Sequence, residues 1–166
     1  MAIREILLLG NEDLYNISRE VSTDNLEKAK EAVQDLHDTM INFRDKYNFG
    51  RAIAAPQIGV FLRIIYMNFD NKSFALINPR LEFGEQTFQV WDDCMSFPGL
   101  EVRLNRFKKT KIFYKDLEWK DCILELEGDL SELIQHEYDH LDGILAVQRA
   151  IDDKAFRINK NKSGCF

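Results

Sequence analysis

The chain has 166 residues, enough for one domain with a substantial core, and its 45% hydrophobic and 30% charged content is that of an ordinary soluble globular protein. A net charge of −6 argues against a general nucleic-acid binder, which needs a broad basic face. No apolar run reaches membrane-spanning length, and Arg4 and Glu5 interrupt the apolar start, so the expectation is a cytoplasmic protein with no membrane partner.

Residues 3–9 read as a short buried strand or an extended segment, and residues 10–23 as a polar loop. A helix is predicted from Asn25 to Tyr47, because Leu26, Ala29, Val33, Leu36, Met40 and Phe43 recur at spacings of 3 and 4. Thr23 and Asp24 supply its start, and Asn48 and Gly50 lie near its end. His37 flanks the apolar stripe and reads as a structural or surface histidine. Short segments rich in β-branched and aromatic residues follow: Leu62 to Phe69, Phe74 to Ile77, Thr87 to Trp91, Lys111 to Tyr114 and Cys122 to Leu126. Turn residues separate them, among them Asn71, Asn78-Pro79, Gly84, Pro98-Gly99 and Asp116, which suits antiparallel strands. A last helix runs from Leu130 to Leu141, with Asp129 as cap and Glu132 at the capping-box position. One helix, several strands and a helix make the fold class α+β. The organisation read is a single domain over residues 1–150 and a basic tail over 151–166 that carries Lys154, Arg157, Lys160 and Lys162 and reads as solvated, with contact to ribosomal RNA as its alternative.

His136-Glu137-Tyr138-Asp139-His140 is an H-E-x-x-H sequence on the last helix. Residues i and i+4 lie one turn apart on the same side, so the two imidazoles can grip one divalent ion while Glu137 reaches a water on it. The bland alternative is two solvated histidines. With only three histidines in the chain, two at this spacing with Glu between favour the metal. A catalytic site of this kind needs a third protein ligand. Ala146 stands where the longer zinc-protease pattern has its third histidine. Asp142, Asp152 and Asp153 remain possible downstream. Upstream, Cys94 at a strand-to-turn junction is the best candidate, with the buried apolar role of a lone cysteine as its alternative. Cys122 alternates with Leu124 and Leu126 and reads as facing a strand core, while Cys165 is next to last.

Three ordered segments resemble the peptide deformylases. Gly50-Arg51-Ala52-Ile53-Ala54-Ala55-Pro56-Gln57-Ile58-Gly59 is similar to the family's G-x-G-L-A-A-P-Q-x-G. Asp92-Asp93-Cys94-Met95-Ser96-Phe97-Pro98 is similar to E-G-C-L-S-x-P, and Gln135-His136-Glu137-Tyr138-Asp139-His140-Leu141-Asp142-Gly143 matches Q-H-E-x-D-H-L-x-G throughout. The resemblance covers residues 3–150. It implies a metal held by Cys94, His136 and His140, ferrous iron in the cell with zinc or nickel in a purified sample. It implies Glu137 as general base and acid, with Gln57 and the Met95 backbone N–H as donors to the developing oxyanion. The implied substrate is the N-formyl-methionine end of a nascent polypeptide, and the implied setting is cytoplasmic with transient access to the ribosome. Asp139 is read either as the orienter of a ligating histidine or as a solvated charge, and Arg106 either as a partner for the acids at 92–93 or as a plain surface arginine.

Asp92 replaces the family's glutamate, Asp93 its glycine and Ala52 the second glycine of the first motif. Arg51 and Glu132 fall near positions that line the family's methionine pocket. A divergent member acting on another N-acyl peptide, a metallopeptidase, and a metal-stabilised non-catalytic binding protein are the competing readings.

Overall fold

The apolar stripe predicted near the N-terminus becomes helix α1, Leu26–Tyr47. It ends where Asn48 adopts φ 59° and donates its N–H to Arg44 O, the left-handed stop that Asn tolerates better than most residues. The structure is a computed structural model and describes residues 2–163; Cys165 lies outside the described residues. Residues 3–9 are extended but neither buried nor paired into a sheet: Ile3 is 60% and Leu8 56% exposed. The segment instead lies along α1, with Ala2 N–H on Asp35 Oδ1 and Arg4 N–H on Thr39 Oγ1.

Five antiparallel strands form one sheet in the order β1-β2-β3-β6-β7: Ala52–Ala54, Ile64–Phe69, Lys72–Phe83, Lys109–Lys115 and Asp121–Glu127. A smaller sheet has the order β4-β5-β8, formed by Thr87–Asp93, Leu100–Phe107 and Phe156–Ile158. β2 is apolar on both faces because both are covered. Ile64 and Tyr66 pack in the core that contains α1, while Ile65 and Met67 pack with Ile134 and Leu141 of helix α2, Asp129–Leu141.

Several expectations need correction. Asn78-Pro79 does not end a strand: β3 continues through an irregularity between Ile77 and Arg80, where a proline is tolerated. Asn78 sits there at φ 49° and bonds both polar groups of Val21. β5 carries no clear strand signal in the sequence, because Glu101 and Arg106 interrupt its apolar character and both are buried. β1 consists of three residues, too few to show a period. The capping box at α2 does not form: Gly128 is the N-cap and makes no side-chain cap bond, Asp129 pairs with Arg51, and Glu132 faces a cavity. Finally, residues 156–158 do not trail as a solvated tail. They join β5, with Ala155 fully buried beside them.

Candidate metal centre

α2 presents His136 and His140 on its buried side, and the turn after β4 presents Cys94. The two Nε2 atoms lie 3.2 Å apart, and Cys94 Sγ is 3.3 Å from His140 Nε2. One ligand atom from each of the three buried residues falls within 4.8 Å of the others. Two imidazole nitrogens and a sulfur so placed can converge on one divalent cation, and both donor types suit zinc or ferrous iron, so the residues fit the group. Burial disfavours charge on both rings. At His136, Asp92 and the Cys94 sulfur overcome it and drive the pKa well above its ordinary value. At His140, His136 adds to the effect of burial and drives the pKa well below it.

Glu137 follows His136 on the helix and is buried, with Oε2 lacking any hydrogen-bond partner. Burial pushes its carboxyl up to about 7, the range in which a carboxylate can both take and return a proton. Gln57 is brought in by a short helical turn, Ala55–Ile58, that Pro56 opens. Its Oε1 accepts from Ala54 N–H at 2.9 Å, which leaves Nε2 facing Cys94 Sγ at 3.5 Å and Ser96 Oγ at 3.1 Å. Met95 is buried in the cysteine turn. Sequence reasoning missed Ser96, yet its N–H lies 3.3 Å from Cys94 Sγ. The signal available was its place in the second motif.

The orienter of His136 is Asp92 rather than Asp139. Asp92 Oδ1 lies 2.7 Å from His136 Nδ1, a close ion contact without the alignment of a hydrogen bond. Asp92 Oδ2 accepts from Arg106 at 2.8 Å, and Arg106 also donates to Asp139 at 2.6 Å. Asp139 takes two further bonds from Arg149, each 2.6 Å. Charges thus alternate from the half-exposed Arg149 inward to the ligating ring. Burial opposes ionisation of Asp92, but His136 and Arg106 outweigh it and hold its pKa at about 2. The pairing of Arg106 with residue 92 agrees with expectation; Asp93 goes elsewhere, to Lys162 Nζ at 2.7 Å.

A cavity of about 330 Å³ opens beside the centre. Cys94, Met95, His136 and Glu137 line it, together with Arg51 and Glu132. Burial pushes Glu132 up to about 8, with Asp92 adding to the shift.

The chain is similar to known proteins over most of its length. The profile of the polypeptide deformylase family matches residues 3–156. A peptide deformylase of Dictyoglomus thermophilum is 34% identical over 151 residues, covering 91% of this chain and 95% of that protein. The crystal structure of peptide deformylase from Thermotoga maritima superposes with a TM-score of 0.82 at 29% identity, covering 92% of this chain and all of that one. That of the Synechococcus elongatus enzyme in complex with actinonin gives 0.82 at 26% identity, over 92% and 87% of the two chains.

Proposed function

Because the chain belongs to the peptide deformylase family, we propose that it hydrolyses the N-formyl group from the N-terminal formyl-methionine of nascent polypeptides. The observation that carries this reading is the convergence of Cys94, His136 and His140 beside a buried Glu137 with an unpartnered oxygen. A divalent cation held by those three residues supplies the Lewis acidity that makes water nucleophilic near neutral pH. Glu137 takes the proton of the attacking water and delivers it to the departing amine nitrogen. Gln57 Nε2 and the Met95 backbone N–H stabilise negative charge growing on the formyl oxygen, and donors aimed in advance do this best. The peptide lies extended along β1, an edge strand of the larger sheet, where main-chain pairing leaves its later side chains loosely read.

The metal is ferrous iron in the cell, and zinc or nickel in a purified sample. The setting is cytoplasmic, with transient ribosome contact; no helix among the described residues is long and apolar enough to cross a membrane. The charged residues of the cavity wall, Arg51 and Glu132 among them, favour one second reading, an N-acyl peptide other than formyl-methionine. Anaerobic loading with ferrous iron, followed by assay of formate from formyl-Met-Ala-Ser, tests the main reading. The wild type releases formate and Glu137→Ala does not; equal rates would remove the role of Glu137. Acetate released faster from acetyl-Met-Ala-Ser than formate from the formyl peptide would favour the second.

A further inference from the structure

The C-terminal segment adds edge strand β8 to the smaller sheet and then reaches the cavity. β8 pairs with β5 through Leu100↔Ile158, Glu101↔Arg157 and Val102↔Phe156. The buried Glu101 carboxylate anchors this segment: Arg157 Nε donates to it at 2.6 Å and Asn159 Nδ2 at 2.9 Å, and Lys162 Nζ lies 3.6 Å away. Asn159 N–H bonds Gly99 O, and Lys162 N–H bonds Asn159 O. The Arg157 guanidinium lies 4.0 Å from the Trp91 ring centroid. Lys162 is therefore held in place, unlike a free surface lysine. Its ammonium sits 2.7 Å from Asp93, in the turn region after β4, and 5.5 Å from the ring centroid of Phe49, just past the end of α1. Asp93, Phe49 and Lys162 all line the same cavity as Cys94, His136 and Glu137.

We propose that Lys162 is a specificity-determining residue: held by the C-terminal strap, it bridges Asp93 and Phe49 and closes one end of the substrate cavity. The proposal rests on the deformylase reading for the identity of the substrate. A substrate side chain seated in the cavity packs against the lysine's methylene stem, while its ammonium stays paired at the rim. The charge of Asp93, beside the ligating cysteine, is met by the same ammonium. Truncating Lys162 opens the cavity end to water, lengthens it, and frees Phe49 from its cation.

The test uses the zinc-loaded full chain as wild type, Lys162→Ala, Lys162→Arg and Glu101→Gln, with formyl-Met-Ala-Ser and formyl-Phe-Ala-Ser as substrates. Lys162→Ala raises KM for the methionine peptide about fivefold, the size of one lost cation–ring or rim contact. It leaves kcat within about twofold and narrows the preference for methionine over phenylalanine. Lys162→Arg keeps both values near wild type, and Glu101→Gln, which loosens the strap while leaving Lys162 and the three ligands in place, moves KM in the same direction as Lys162→Ala. Calorimetric affinity for actinonin falls in parallel, a readout that needs no turnover. The proposal is overturned if Lys162→Ala leaves KM, substrate preference and actinonin affinity unchanged, or if kcat falls at constant KM. A wild type that releases no formate removes the deformylase reading, and the actinonin comparison still decides Lys162.

Discussion

Replacing Arg106 by Met removes the cation between two buried carboxylates while keeping most of the side-chain volume. Arg106 is 2.8 Å from Asp92 and 2.6 Å from Asp139, and all three side chains are buried. Asp139 retains both bonds from Arg149, so the greater loss falls on Asp92, for which His136 is the remaining cationic partner. Breaking a buried pair by removing one partner costs about 3–5 kcal/mol; with Arg149 in place the lower end, about 3 kcal/mol, is expected. For a chain of this length that lowers Tm by about 6–12 °C. Urea unfolding of the metal-free protein, followed by circular dichroism, measures it. The pH dependence gives an independent check. Asp92 is depressed from 3.8 to about 2 in the folded state. Its contribution is therefore full above pH 3.8 and is lost as pH falls through about 2, amounting to about 2 kcal/mol in the wild type. Arg106→Met should flatten that acid limb. A loss under about 1 kcal/mol with an unchanged acid limb would refute the claim that Arg106 adds to His136 in holding Asp92 ionised.

Gly143 has φ +69°, and a Cβ there would run into the Tyr15 carbonyl. Gly143→Ala combines strain with a backbone clash and should lower stability by at least about 2 kcal/mol, read as a shift in the urea midpoint. Gln57→Ala removes one donor beside Cys94. It should lower kcat about a hundredfold with KM little changed, and a loss confined to KM would assign Gln57 to substrate binding alone.

The amino-acid sequence determined those features that repeat along the chain or are bunched within it. α1 was legible because its buried positions follow one helical period, and the paired histidines because ligands at i and i+4 share a helix face. The same local logic failed wherever a residue's role depended on a distant partner. β5 escaped notice because Glu101 and Arg106 look like surface charges until Arg157, Asp92 and Asp139 arrive from elsewhere to satisfy them. By sequence Asp139 is as good a histidine orienter as any, but Asp92 reaches the ring instead, and sequence spacing holds no information about which carboxylate does so. The basic C-terminal residues looked like a solvated tail; Arg157 and Lys162 instead meet Glu101 and Asp93. Burying a charge is unfavourable unless a partner accompanies it. Each such pairing was therefore settled by which segments fold together, while helix period and ligand spacing needed no tertiary contact to be read.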